Sequence, residues 1–169
     1  NFLHGLPHWA VSIALEHKGE IVAGVVFDPA KDEMFFAEKG TGAWMNESRL
    51  RVSGRHRMIE SIFATGLPFG GRADLPETLK DLGRLLPVCA GVRRWGAASL
   101  DLAYVASGRY DGFWERRLKP WDVAAGMLIV KEAGGLVEAI RPERNILQHG
   151  EIICSNEPIY STFAKTIRG

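Results

Sequence analysis

Residues 9–45 alternate short apolar runs with turn residues, which is the pattern of an antiparallel sheet. The runs WAVSIALE at 9–16 and IVAGVVF at 21–27 are rich in residues that favour strands, and a short loop containing Gly19 separates them. Together they predict a hairpin. A third run, EMFFAE at 33–38, lies between two turns and predicts the next strand. The first third of the chain is therefore predicted to be an antiparallel meander.

From about Ile59 onward the pattern changes to strands that alternate with helices. Strands are predicted at 61–65, 88–92, 110–115, 136–140 and 152–155, and helices at 75–86, 100–107, 122–133 and 160–167, with a loop at 66–71. This alternation is typical of an α/β fold built in layers, an α+β sandwich. We predict that residues 1–58 form the antiparallel part of an N-terminal α+β domain and that residues 59–169 form a C-terminal α/β domain.

The helix predicted near residue 122 begins with a carboxylate. Pro120 disfavours helix in the residue before it, Asp122 suits the N-cap or the first turn, and Gly134 supplies a stop after a run of small or apolar residues. The helix dipole favours an ionised Asp122, which is then available to a hard cation. A purely structural N-cap is the alternative. Trp121 is expected to shield the carboxylate from bulk water, and the small residues that follow allow close packing against a neighbouring element.

Two further segments place polar groups near predicted strand ends. Residues 93–99, RRWGAAS, lead from a strand into a helix through small residues, so backbone N–H groups are free to bind hydroxyl or phosphate oxygens. A tight turn without a ligand is the alternative. Glu115 ends an apolar strand shortly before Asp122, and ligands gather at strand ends in open α/β sheets, so the two carboxylates are expected to share a pocket. An exposed glutamate beside Arg116 and Arg117 is the alternative.

Composition narrows the class of partner and the compartment. The formal net charge is +1, which argues against nucleic acid or an acidic membrane as a partner. Cys89 and Cys154 lie far apart and form no C-x-x-C motif, as expected for ordinary thiols in a reducing compartment. The sequence contains neither a long apolar run nor a signal segment at its start, so we predict a cytoplasmic protein. His4, His8 and His17 lack the spacing of metal ligands and are interpreted as structural or exposed.

Several separated motifs resemble, in order and spacing, those of the inositol monophosphatase family of magnesium-dependent sugar phosphatases. Residues 121–126, WDVAAG, match the signature W-D-x-A-A/G-G. Asn1, Phe2, His4 and Pro7 match the end of the motif D-P-x-D-G-T-x-N-F-x-H-x-x-P. Between these two motifs lie GVVFDP at 24–29, KGTGA at 39–43 and the small-residue segment at 96–98. The resemblance covers essentially the entire chain.

The resemblance implies a sugar phosphatase fold, incomplete at the N-terminus, and hydrolysis of inositol monophosphate by a water that Mg²⁺ activates. Carried over by motif, Asp122 would be a catalytic residue and a metal ligand, and Glu115 would accept hydrogen bonds from substrate hydroxyls. Gly96, Ala97 and Ala98 would line the sugar pocket through their backbone groups, with Ala97 standing where the family often has threonine or serine. The family's other metal-binding acids belong to sequence upstream of Asn1, so this polypeptide alone is expected to be inactive.

Alternatives to this function remain within the family and outside it. Related phosphatases act on fructose 1,6-bisphosphate, histidinol phosphate or adenosine 3′,5′-bisphosphate. Some bacterial relatives engage the transcription machinery, so a non-catalytic scaffold role is the alternative from another class. The resemblance also implies a homodimer, for which Trp44 and Phe69 are candidate interface aromatics.

Overall fold

The first half of the fold is a five-stranded antiparallel sheet, called the first sheet below. In the computed structural model, which describes residues 1–67 and 75–169, the strands follow one another in sequence order. Lys18 and Gly19, with φ angles of 51° and 81°, form the turn between the first two strands. The predicted hairpin and meander are therefore confirmed. The strands are β1 (Val11–His17), β2 (Glu20–Asp28), β3 (Glu33–Glu38), β4 (Gly42–Met45) and β5 (Ser48–Arg49).

A second sheet of five strands has the order β7-β6-β8-β10-β9. Its strands are β6 (Ile62–Thr65), β7 (Gly91–Arg93), β8 (Gly112–Glu115), β9 (Leu136–Glu138) and β10 (Ile152–Ser155). β6 runs parallel to both β7 and β8, whereas β10 is antiparallel to β8 and β9. The helices are α1 (Leu75–Leu85), α2 (Ala98–Ala106), α3 (Pro120–Glu132), α4 (Ile146–His149) and α5 (Glu157–Arg168).

Helices α2 and α3 lie between the two sheets. One core cluster joins Phe35 of the first sheet to Phe113 of the second through buried helix residues such as Leu100 and Ile129. Trp114 follows Phe113 and points to the opposite face of the second sheet, where it packs with residues of α1 and α5. The layers are therefore sheet, helices, sheet, helices, which confirms the predicted α/β layered sandwich.

Helix α3 approaches its neighbours at backbone distance on two sides. A Cβ atom at Gly24 of β2 would lie 2.8 Å from the Cα atom of Ala125. On the other side, a Cβ atom at Gly126 would lie 2.6 Å from the Cβ atom of Leu102 in α2. Real Cβ contacts are longer, so both contacts require glycine. The close packing predicted for the small residues after Asp122 is confirmed.

Several predicted boundaries differ from the structure. Helix α3 begins at Pro120 instead of Asp122, because proline is well suited to the first helical position. Residues 86–88 form a 3₁₀ helix and the next strand starts only at Gly91, since Pro87 provides no N–H group for a strand ladder. The short helix α4 was not predicted, because its four residues carry too little periodicity.

The structure also bears on predictions that do not concern helices or strands. The proposed domain division at residue 58 stays a prediction, although the change of pattern does fall between the two sheets. Trp44 is half-buried and lies beneath the guanidinium group of Arg49, which is 5.7 Å from the ring centroid. Phe69 and most of the predicted loop at 66–71 lie outside the described residues. Within residues 1–67 and 75–169, no helix is long and apolar enough to cross a membrane.

Candidate functional site

Three parallel strands of the second sheet end beside one cavity. Because β6, β7 and β8 run in the same direction, their carboxyl ends meet at the same edge of the sheet. Gly66 follows β6, Arg94 follows β7 and Glu115 ends β8, and all three residues line a cavity of about 530 Å³. The starts of α2 and α3 complete the wall on one side, and the segment formed by residues 1, 2 and 8–10 completes it on the other.

The structure brings every site residue predicted from the sequence to this cavity. Glu115 and Asp122 line it together with the small-residue segment, which consists of Gly96, Ala97 and Ala98. The prediction that Trp121 shields the carboxylate of Asp122 from bulk water is wrong. Trp121 is 67% exposed and does not line the cavity, because the first turn of α3 directs Asp122 inward and its neighbour to solvent. Placement in one cavity does not test the individual roles, which stay predictions.

Asp122 combines a structural contact with an available carboxylate oxygen. It occupies the third helical position, where its Oδ2 atom accepts a hydrogen bond from the backbone N–H of Lys119 at 2.8 Å. This bond satisfies one of the donors that a helix start leaves unpaired. Within the described residues the Oδ1 atom accepts no hydrogen bond. The two alternatives considered for Asp122, a cap and a ligand, are therefore compatible in one side chain.

Glu115 is half-buried at the end of β8, and its carboxyl group has a strongly raised pKa. Burial raises the pKa of Glu115 from 4.5 to about 8, and the negative charge of Asp122 adds to the rise, whereas the guanidinium group of Arg94 opposes it. A contribution from the charge of Asp122 is expected, because both carboxyl groups line the same cavity. Because Glu115 is half-buried, it is not the exposed strand end of the alternative interpretation. The carboxyl group occupies space that a side chain at Gly66 would fill.

Within the described residues, the small-residue segment beside the cavity contains backbone N–H groups that have no hydrogen-bond partner. Helix α2 starts at Ala98, and its N-cap residue Ala97 makes no side-chain hydrogen bond to the helix start. The first N–H groups of α2 therefore have no intrahelical partner and lie at the positive end of the helix dipole. Gly96 has a φ angle of 81°, a conformation that glycine adopts without strain. Gly96 lies in the turn that leads from β7 into α2.

Sequence reasoning did not place two polar residues, Asn1 and Arg94, at the cavity. The amide nitrogen of Asn1 donates to the backbone oxygens of His8 at 2.7 Å and Trp95 at 2.8 Å, which ties the segment before β1 to the loop before α2. Arg94 lies close enough to Glu115 to lower its pKa. Arg94 was considered only as part of the segment at 93–99, because sequence spacing alone does not show which arginine lies near a carboxylate.

Asp101 is a buried carboxyl group in the first turns of α2. It is 1% exposed, and its Oδ1 atom makes no hydrogen bond within the described residues. Burial raises the pKa of Asp101 well above its usual range, Glu115 raises it further, and Arg94 opposes the rise. The one sequence signal was an aspartate inside the apolar run LDLAYVA at 100–106, which indicates a buried charge.

His8 is buried, whereas His4 and His17 are exposed. Its ring lies 5.2 Å from the ring of Trp95 and 6.0 Å from that of Tyr104, measured between centroids. Burial lowers the pKa of His8, the charge of Lys31 lowers it further, and Asp28 opposes both. A neutral imidazole is therefore part of the cavity wall at neutral pH. This agrees with a structural histidine.

The described residues can supply part of a magnesium site. The free oxygen of Asp122 is the kind of hard donor that Mg²⁺ prefers, and this ion is usually bound by one or two carboxylates together with water and substrate oxygens. However, the described part of the chain contains no group of three or more His, Cys, Asp or Glu residues arranged to hold a metal ion. The chemistry of Asp122 fits a magnesium ligand, although residues 1–67 and 75–169 do not form a complete cage.

Comparison with known proteins gives a consistent result. A family model described as "Inositol monophosphatase family" matches residues 1–168. The inositol-1-monophosphatase of Rhizobium meliloti is 49% identical over 168 residues, which are 99% of this chain and 63% of that protein. A protein of Pseudomonas aeruginosa named Nus factor SuhB is 47% identical over 170 residues and is also covered to 63%. This chain therefore spans about 63% of the length of these relatives.

The fold also matches a solved structure. The structure described as extragenic suppressor protein suhB from Bartonella henselae superimposes with a TM-score of 0.95 at 47% sequence identity. The match covers 99% of this chain and 65% of that one. The sheet order and the layers described above are therefore shared with a protein of known structure.

Proposed function

Because this chain belongs to the inositol monophosphatase family, we propose that the protein is a Mg²⁺-dependent phosphomonoesterase that hydrolyses inositol monophosphate to inositol and phosphate. The observation that carries the proposal is the convergence of Glu115, Asp122 and the unpaired N–H groups of α2 on one cavity. Its volume of about 530 Å³ suits a small sugar phosphate. The matched relatives named inositol-1-monophosphatase support the choice of substrate.

The residues of this chain have distinct proposed roles. Asp122 contributes its free oxygen as one ligand of the metal and holds the start of α3 with the other. When bound, Mg²⁺ offsets the negative charge of the phosphate and lowers the pKa of a water molecule. Glu115, with a pKa of about 8, forms hydrogen bonds with the hydroxyl groups of the sugar and fixes its orientation. The N–H groups at the start of α2 bind hydroxyl or phosphate oxygens.

The test is release of phosphate from myo-inositol 1-phosphate by the full-length gene product, with and without Mg²⁺. We expect activity that requires Mg²⁺ and that is absent in Asp122→Asn, because the amide loses the charge that binds the cation. The 169-residue chain alone is expected to be inactive, because its described residues supply too few metal ligands. Full activity of Asp122→Asn would contradict the assigned role.

The preference for inositol is a separate question from the chemistry. Fructose 1,6-bisphosphate, histidinol phosphate and adenosine 3′,5′-bisphosphate carry the same phosphate group on different scaffolds, so a panel of these esters under identical conditions discriminates between them. We expect the highest kcat/KM for inositol monophosphate. A higher value for another ester would keep the phosphatase assignment and replace the substrate.

A second candidate function rests on a different observation. The relative from Pseudomonas aeruginosa, 47% identical to this chain, carries the name Nus factor SuhB. A non-catalytic scaffold role with the transcription machinery is therefore the alternative. Pull-down with tagged wild-type protein and with Asp122→Asn distinguishes the two functions. Partner binding by a scaffold tolerates the loss of a metal ligand, whereas phosphatase activity does not.

The proposal includes a cytoplasmic homodimer, as in the family resemblance. Cys89 and Cys154 are both buried and unpaired, which supports a reducing compartment. Light scattering coupled to size exclusion, applied to the full-length gene product, measures the assembly directly. A monomer over the range of cellular concentrations would contradict this part of the proposal.

A further inference from the structure

A second cleft, here called the arginine cleft, shares only Arg116 with the cavity described above. It has a volume of about 600 Å³ and is formed by α1, the end of β8, the segment after β9 and the end of α5. Two glutamates, Glu77 and Glu143, lie among its lining residues. Five cationic residues line the same space: Lys80, Arg84, Arg116, Arg141 and Arg168.

Two of the guanidinium groups share one buried carboxylate. Asp81 is fully buried, and its Oδ1 atom accepts a hydrogen bond from Arg84 at 2.8 Å. Its Oδ2 atom accepts hydrogen bonds from Arg116 and from the indole N–H of Trp114. One negative charge therefore balances two positive charges at this wall of the arginine cleft. The surplus is positive and close to a low-dielectric core, where an uncompensated charge is costly.

Glu77 compensates this surplus only in part. Its Oε1 atom lies 3.7 Å from a nitrogen of Arg116 and 3.6 Å from a nitrogen of Arg141, and both distances exceed those of hydrogen bonds. Asp81 and Glu77 thus link three guanidinium groups, from Arg84 through Arg116 to Arg141, around the same space. Within the described residues, Arg141 makes no hydrogen bond through its guanidinium group and Lys80 makes no ion pair.

The fifth cationic residue of the cleft, Arg168, stabilises the neighbouring backbone. Arg168 donates from its Nε atom to the backbone oxygen of Ile140 at 2.8 Å and pairs with Glu138 at 2.8 Å. Ile140 precedes Arg141 in the chain, so this contact fixes the backbone that carries Arg141. Arg116 is only 9% exposed and is held by Asp81. The side chain of Arg116 and the backbone that carries Arg141 are therefore positioned before any ligand arrives, which lowers the entropic cost of binding.

We propose that the arginine cleft is a second anion site that binds a phosphate group, either as inorganic phosphate or as a phosphate monoester. Guanidinium groups match phosphate because their planar N–H donors form paired hydrogen bonds with two of its oxygens. Arg141 supplies such a face, Arg116 supplies charge from the floor of the cleft, and Lys80 adds a point charge. Neither Glu115 nor Asp122 lines this site, and Arg116 is the one lining residue that it shares with the candidate active-site cavity.

The experiment measures phosphate binding to the full-length gene product by isothermal titration calorimetry in chelator and at low salt, where no hydrolysis occurs. One arm uses inorganic phosphate and the other uses β-glycerophosphate, so the tighter ligand identifies the source of the group. We expect Arg141→Gln to raise the Kd about tenfold, as for the loss of a charge-assisted hydrogen bond. Lys80→Gln is expected to raise it by a smaller factor. The side chain of Arg141 is 44% exposed, so its substitution leaves the fold intact.

Lys165→Gln is the matched control, because Lys165 is exposed on α5, does not line the cleft and undergoes the same change of charge. Its Kd should equal that of the wild type. An unchanged Kd in Arg141→Gln, or the absence of phosphate binding at low salt, would overturn the proposal. If a short single-stranded RNA displaced phosphate and bound far more tightly than either small ligand, the cleft would be a nucleic-acid site and the small-ligand assignment would be wrong.

Discussion

The carboxyl group of Glu115 occupies the space that a side chain at Gly66 would take. A Cβ atom at position 66 would overlap both carboxyl oxygens, and Gly66 itself does not have a positive φ angle. Space is therefore the reason for glycine at this position, and backbone conformation is not. The end of β6 thus determines where the functional group at the end of β8 can lie.

Gly66→Ala should displace the Glu115 carboxyl group and impair substrate binding. A misplacement of about 1 Å at a positioning group can reduce kcat/KM about a hundredfold. The free energy of unfolding should change by less than about 1.5 kcal/mol, because the carboxyl group can rotate away from the new methyl group. Steady-state kinetics with inositol monophosphate and denaturant unfolding measure the two effects.

Gly54→Ala provides the control for that substitution. A Cβ atom at Gly54 would meet nothing within 4 Å, and its φ angle is not positive. Its kinetics should match the wild type. If Gly66→Ala also retained wild-type kcat/KM, the position of Glu115 would not matter for substrate binding.

The raised pKa of Glu115 predicts a pH dependence of stability. The folded state keeps the proton up to about pH 8, whereas the unfolded state loses it near pH 4.5. Between these values the folded state binds more protons, so the free energy of unfolding should fall as the pH rises, by at most about 1.4 kcal/mol per unit. Above about pH 8 the stabilisation that comes from the proton on folded Glu115 is lost. Unfolding in urea across this range, in chelator, measures the slope.

Glu115→Gln isolates that contribution from those of other groups. The amide does not titrate. The wild type should therefore lose unfolding free energy relative to the variant as the pH rises from 4.5 to about 8. Parallel pH profiles of the two proteins would show that the carboxyl group has an ordinary pKa and is not desolvated.

The two functions of Asp122 can be separated by two substitutions. Asparagine retains an oxygen that accepts from the N–H group of Lys119, so Asp122→Asn should unfold at nearly the wild-type free energy. Asp122→Ala removes the acceptor and should cost about 1 kcal/mol, the usual effect of losing a cap. Both variants should lose Mg²⁺-dependent phosphate release. Equal stability of the two variants would show that the bond to Lys119 contributes little.

Gly24→Ala tests the contact between β2 and α3. The new Cβ atom would lie 2.8 Å from the Cα atom and 3.0 Å from the backbone oxygen of Ala125, and backbone atoms cannot rotate aside. The helix must shift away from the first sheet, so the free energy of unfolding should fall by about 1–3 kcal/mol. Denaturant unfolding measures this, with Gly54→Ala again as the control.

The helices and strands of this fold could be predicted from the sequence more completely than the contacts around the candidate site. The strands at 33–38 and 152–155 were predicted with their observed boundaries, because their apolar runs are bounded by clear turns. Position along the chain also indicated that Glu115 and Asp122 would meet, since strand ends gather at one edge of a sheet. The parallel pairing of strands was not predicted, because a short apolar run does not show which strand it will pair with.

The residues that sequence reasoning missed act through contacts between distant segments. Asp101 occurs in an apolar helix, and only the packed structure shows that it faces Glu115 and Arg94. Gly66 was placed in a loop, where glycine is common, and its steric relation to Glu115 depends on the pairing of β6 with β8. Such relations arise from tertiary packing, which local propensity does not encode.

The walls of the cavity come from strand ends and helix starts that are far apart in the sequence, whereas the sheets and α3 hold the fold together. A change in one loop can therefore alter one wall without disturbing the others. Divergence within such a lineage can proceed by small steps, in which the scaffold is inherited and ligand preference is replaced one segment at a time.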